Sequence, residues 1–78
     1  MPTLLIQHGQ KFRFYSSDGQ EPPHIHVLKD GKEAKVWLRD LAIAFNRGYN
    51  DRELRELMDI VAAHREEWIG AWNEFFGI

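Results

Sequence analysis

Between Leu4 and Arg39 the apolar and polar residues alternate in short runs, and turn residues separate the runs. That is the pattern of half-buried strands joined by tight connections. Leu4–Gln7 and Lys11–Tyr15 flank His8-Gly9-Gln10, a Gly-containing hairpin loop. His24–Lys29 and Lys32–Arg39 flank Asp30-Gly31, a dipeptide that favours two-residue hairpin turns. With Asp30 and Gly31 as the loop, Lys29 faces Lys32, Leu28 faces Glu33 and Val27 faces Ala34; His26 then faces Lys35, Ile25 faces Val36 and His24 faces Trp37. Strand side chains alternate. One face therefore carries Ile25, Val27, Ala34, Val36 and Leu38, all apolar. The other carries His24, His26, Lys35, Trp37 and Arg39. In the first hairpin Phe12 and Phe14 share one face, and Lys11, Arg13 and Tyr15 the other.

After residue 50 the period changes. Leu54, Leu57, Met58, Val61, Trp68, Trp72, Phe75 and Phe76 recur at helical spacings. Asn50 and Glu53 form a capping box, and Gly77 suits the stop. A helix of about 25 residues is roughly 37 Å long, whereas strands of five to seven residues reach roughly 17–24 Å. The helix is therefore expected to overhang the sheet or to break near Ala63-His64. Residues 40–49 are ambiguous. Leu41, Ile43 and Phe45 alternate as a fifth strand would, yet Leu41-Ala42-Ile43-Ala44 also suits a helical turn. The fold expected is α+β: a small antiparallel sheet of three to five strands, in two hairpins, packed on one long C-terminal helix. Residues 1–78 read as a single domain, with hairpins over 1–39, a connector over 40–49 and the helix over 50–76.

Composition narrows the function classes. The 78 residues include no cysteine, so disulfides and thiolate zinc sites are excluded. No apolar run approaches the roughly 20 residues of a membrane span, and Met1-Pro2-Thr3-Leu4-Leu5-Ile6 does not read as a signal peptide. A cytoplasmic protein is expected. The formal net charge is −2, but it is unevenly spread: residues 1–50 hold seven Lys and Arg against five acids, and residues 51–78 hold three against seven.

Pro22-Pro23-His24-Ile25-His26-Val27 is the most distinctive local pattern. With Phe12-Arg13-Phe14-Tyr15 before it, Ala34-Lys35-Val36-Trp37-Leu38 and Gly48-Tyr49 after it, and the helix from Glu53-Leu54 to Phe75-Phe76, it resembles a widespread family of small prokaryotic domains of unknown function. The resemblance covers nearly the whole chain. It implies a setting in gene pairs of the toxin–antitoxin kind, and no settled chemistry.

His24 and His26, at i and i+2, point the same way about 7 Å apart. Such a pair can bind one metal ion or supply a general acid and a general base. An imidazole titrates near neutrality, which suits RNA cleavage by proton transfer. Lys35 and Arg39 beside them can stabilise developing negative charge. The plainer reading is a stiffened strand entry with the imidazoles bonded to backbone carbonyls. No metal or other cofactor is expected: no acidic residue or third histidine stands at ligand spacing, and Leu28 fills the place of a third alternating histidine.

Lys11, Arg13, Tyr15 and Trp37, with Lys35 and Arg39, mix cations with rings, as in sheets that bind single-stranded nucleic acid. They also suit a plain cover for a thin sheet, and the loop at 16–23 can lie over Trp37. Trp68, Ile69, Trp72, Phe75 and Phe76 sit where the helix is expected to overhang. Uncovered, they would make an interface for a homodimer or a small cognate partner. Two functions compete: a module that binds or cleaves RNA through the histidine face, and a non-catalytic interaction domain with structural histidines.

Overall fold

The structure is a computed structural model that describes residues 3–77; the terminal residues of the 1–78 reading and Met1-Pro2 of the leader reading lie outside them. Five strands come first: β1 (Thr3–Gln7), β2 (Gln10–Arg13), β3 (His24–Lys29), β4 (Lys32–Trp37) and β5 (Ile43–Arg47). One helix, α1 (Asp51–Phe76), follows, and a 3₁₀ segment, Ser16–Gln20, lies between β2 and β3. The strands form one antiparallel sheet in chain order. The fold is α+β, with the helix against one face.

Local chemistry explains the connections. Asp30 (φ 48°) and Gly31 (φ 80°) both take left-handed backbone, as a two-residue turn of the right twist requires. The six β3–β4 pairs run from His24–Trp37 to Lys29–Lys32, the register expected from the apolar pattern. The β1–β2 loop differs from expectation. It has two residues, His8 (φ 54°) and Gly9 (φ 76°), and Gln7 pairs with Gln10. His8 and Gly9 are loop residues as expected, but Gln10, the third residue of the expected loop, is the first of β2. Residues 43–47 resolve as the fifth strand, while β4 stops at Trp37 rather than Arg39. Leu38–Asp40 form a turn.

The core lies between sheet and helix. Phe12, Phe14, Ile25, Val27, Ala34, Val36 and Leu38 meet Leu57, Val61, Trp68 and Trp72, with Tyr49 closing one end. The helical positions fall at spacings of four, seven and four, one stripe of the helix. The Asn50–Glu53 capping box is formed by bonds of 2.8 and 3.0 Å. Gly77 (φ 71°) ends the helix in the left-handed conformation.

The helix does not break at Ala63-His64, and the expected bare aromatic end is corrected. Lys32 Nζ meets Glu53 at one end of β4 (2.7 Å), and Arg65 donates to the carbonyls of Leu38 and Arg39 past the other end (2.6 and 2.7 Å). The remaining turns are received by β2 and the 3₁₀ segment. Trp68 packs on Phe12 with ring centroids 5.5 Å apart, and Trp72 on Phe14 at 5.0 Å. Phe76 lies against Gly19, where a Cβ would stand 2.8 Å from the ring. Trp68 and Trp72 are thus core residues, Ile69 and Phe76 are half-buried, and only Phe75 of the five is exposed. The loop that strand and helix lengths alone could not place fills the overhang.

Candidate functional site

The sheet face away from the helix carries the expected side chains, but it is not uniformly open. Across the strands Arg13, His26, Lys35 and Phe45 stand in one row by register. Lys11, Leu28, Glu33 and Arg47 form the next row towards the hairpin turn. His24 and Trp37 pair at the other end.

The two imidazoles share a face, as strand alternation requires, with ring centroids 5.1 Å apart. They do not face water. His24 is fully buried and His26 is 8% exposed. The reason is specific: the 3₁₀ segment folds back over the start of β3. Asp18 Oδ2 lies 3.1 Å from His24 Nε2 and 3.3 Å from His26 Nε2. His24 also meets rings from both layers, Trp37 at 5.4 Å and Trp72 at 5.0 Å.

The outer nitrogens are anchored. His24 Nδ1 lies 3.0 Å from the Pro22 carbonyl oxygen, and His26 Nδ1 lies 3.2 Å from Glu33 Oε2. Neither acceptor can donate, so each Nδ1 carries the hydrogen. The double proline positions the first of these carbonyls at the strand entry. Asp18 is itself pinned, since the Tyr15 backbone N–H donates to its Oδ2 at 2.8 Å. Both Nε2 atoms are buried and lack a properly directed hydrogen bond. Burial pushes the His26 pKa down, and His24 adds to this, against the pull of Asp18 and Glu33.

Beyond this pocket lies a strip of cations stacked on rings. The Arg13 guanidinium stands 4.9 Å from the Tyr15 centroid, Lys35 Nζ 4.6 Å from Trp37, and the Arg47 guanidinium 4.5 Å from Phe45. Lys35 also pairs with Glu21 at 2.6 Å, which holds that carboxyl below its usual range. Phe45 and Arg47 were not singled out by the sequence, because β5 was ambiguous; their alternation is the signal that finds them. Lys11 stands at the far end of the row that holds Arg47, with Leu28 and Glu33 between them.

The other expected site residues separate. Lys35 stands beside His26. Arg39, in the turn after β4, lines a depression of about 480 Å³ with Pro22, Trp37, Asp40 and Ala42. Neither imidazole lines that depression. Asp18 was missed altogether. It sits six residues before His24 in an apparent loop, and only the fold-back brings it to ligand distance.

These features define a class: an antiparallel meander backed by one long helix, with an Asp–His–His cluster sealed at the start of β3 beneath the 3₁₀ segment. The chain belongs to the family of a domain of unknown function, DUF4160, whose model matches residues 9–73. No curated protein matched the chain, and no solved structure did. Among the described residues no helix is long and apolar enough to cross a membrane.

Proposed function

We propose that this chain is a small RNA-binding module of the toxin–antitoxin kind, and that the cation–ring strip is its binding face. The observation that carries the reading is the stacking of Arg13, Lys35 and Arg47 on Tyr15, Trp37 and Phe45. Aromatic rings on a sheet face offer platforms for unstacked bases, and cations beside them meet the phosphates. The reading favours binding over cleavage. His24 is sealed between two tryptophans, so it cannot touch a strand lying on the strip. The resemblance to paired prokaryotic genes supports the toxin–antitoxin setting and a small cognate partner. With a net charge of −2, affinity is expected to be weak and strongly dependent on salt.

Fluorescence anisotropy with a labelled single-stranded oligoribonucleotide tests this. Saturable binding at low salt that weakens steadily as salt rises is expected. Arg13→Ala with Arg47→Ala should weaken it at least about tenfold, the size expected for losing two charged contacts of about 1 kcal/mol each. No binding at low salt rejects the reading.

A second reading is favoured by one observation. Phe75 is 48% exposed and lines a shallow apolar depression with Leu4, Phe14, Ala71 and Glu74. Here the chain is a non-catalytic interaction domain that docks a partner or a second copy at this end. Light scattering of wild type and Phe75→Ser separates the two: a mass above the monomer that falls in the variant supports docking, and a monomer in both removes it.

A further inference from the structure

We propose that Asp18, His24 and His26 bind one divalent transition-metal ion of the zinc class. This does not rest on the RNA reading. The three ligand atoms lie within 4.8 Å of one another. For a tetrahedral ion with bonds of about 2.0–2.1 Å, ligand atoms stand roughly 3.3 Å apart. Asp18 Oδ2 stands 3.1 Å from one imidazole nitrogen and 3.3 Å from the other.

Proton placement makes the same case. Both Nδ1 atoms donate outward, to Pro22 and Glu33. In the neutral rings both Nε2 atoms therefore carry lone pairs, and both face one carboxylate oxygen. Lone pairs and an anion buried together repel unless a cation lies between them. Protonating both rings would supply charge but would place two imidazolium ions with centroids 5.1 Å apart in a dry site. One metal ion satisfies all three atoms at once.

The surroundings are those of a ligand set held ready. A histidine that binds through Nε2 commonly donates its other N–H to a carbonyl or a carboxylate. Here His24 uses the first and His26 the second. The Tyr15 N–H fixes Asp18. Two imidazoles and one carboxylate suit Zn²⁺, Co²⁺ or Fe²⁺ better than Mg²⁺ or Ca²⁺, which prefer all-oxygen sets. Three protein ligands leave a fourth position for water. The ion would also fasten the 3₁₀ segment to β3 in a chain without disulfides.

The test uses full-length protein after chelator treatment, titrated with Co²⁺ and then Zn²⁺. The expected result is one equivalent of Co²⁺ with visible absorption of a tetrahedral site, displaced by Zn²⁺ and unaffected by Mg²⁺. Asp18→Asn keeps the shape and the bond from Tyr15, and should weaken binding at least about tenfold; Glu33→Gln should weaken it by about tenfold through His26. His8→Ala and His64→Ala should leave it unchanged. Absence of saturable Co²⁺ binding by the wild type overturns the proposal. Binding that survives intact in both Asp18→Asn and His26→Gln, or that disappears with His8→Ala, overturns it as well.

Discussion

Strand β3 is buried along both faces by two different means. Ile25 and Val27 point into an apolar core of rings and branched side chains. His24 and His26 point the opposite way and are buried almost as well, under a five-residue 3₁₀ segment. The helix side is held by area. The loop side is held by directed bonds: His24 Nδ1 to the Pro22 carbonyl, His26 Nδ1 to Glu33, and the Tyr15 N–H to Asp18. Hydrophobic burial tolerates small displacements, whereas a directed hydrogen bond does not. The difference separates what shapes this molecule from what gives it chemistry.

The largest effect should come from Trp72, which touches both sides through Phe14 and His24. Trp72→Ala should cost about 3–5 kcal/mol in urea unfolding. It should also loosen the imidazole pair, seen as shifted His24 resonances. A loss below about 1 kcal/mol would mean that the helix end is not packed as described. Asp18→Ala strikes the loop side alone. It leaves the Tyr15 N–H without its acceptor and uncovers the imidazole pair, so a loss of about 1–3 kcal/mol is expected. The core should remain intact by near-ultraviolet circular dichroism; a change there would join the two sides into one unit.

Gly19→Ala sharpens the boundary between them. Its Cβ would meet Phe76 at 2.8 Å and 2.9 Å, so the ring must move, at a cost of about 1 kcal/mol. Unchanged stability would show that Phe76 does not seat the segment. Tyr49 probes the helix side by pH. Burial, with smaller contributions from nearby acids, raises its phenol from 10.0 to about 12. The folded state therefore favours the neutral phenol. Its contribution is complete below pH 10 and is lost as pH rises towards 12. Tyr49→Phe should flatten the alkaline end of the stability profile, and an unaltered slope would contradict the burial. The smallest effect belongs to Lys32→Ala. Lys32 bonds Glu53 and holds its carboxyl below 4.5. That contribution is present above 4.5 and fades as pH falls, so the variant should differ from wild type near neutrality and converge with it in acid.

What could be read from the chain follows the same division. Wherever an element is specified by its own residues, the reading held: the Asp30-Gly31 turn, every pair of the β3–β4 register, and both helix caps. The apolar stripe of α1 also fell where the spacing put it. What failed depended on a distant partner or an unusual backbone. Gln10 left the expected loop because His8, at φ 54°, closes a two-residue turn with Gly9, and Leu41 turns at φ 61°, conformations their residue types do not advertise. The overhanging helix end is covered because residues 16–20 fold against it. Arg39 left the histidines because β4 stops two residues earlier. Asp18 was invisible as a ligand because nothing in Ser16-Ser17-Asp18-Gly19 shows that the segment returns over β3.

The central claim is that both imidazoles are locked with Nδ1 protonated and Nε2 turned towards Asp18. Long-range proton–nitrogen correlation spectra of the metal-free protein report the tautomer of each histidine ring directly. The account predicts the Nδ1–H form for His24 and His26, with the exposed His8 as the averaging reference. Nε2–H tautomers, or the same averaging at residues 24 and 26 as at residue 8, would contradict it.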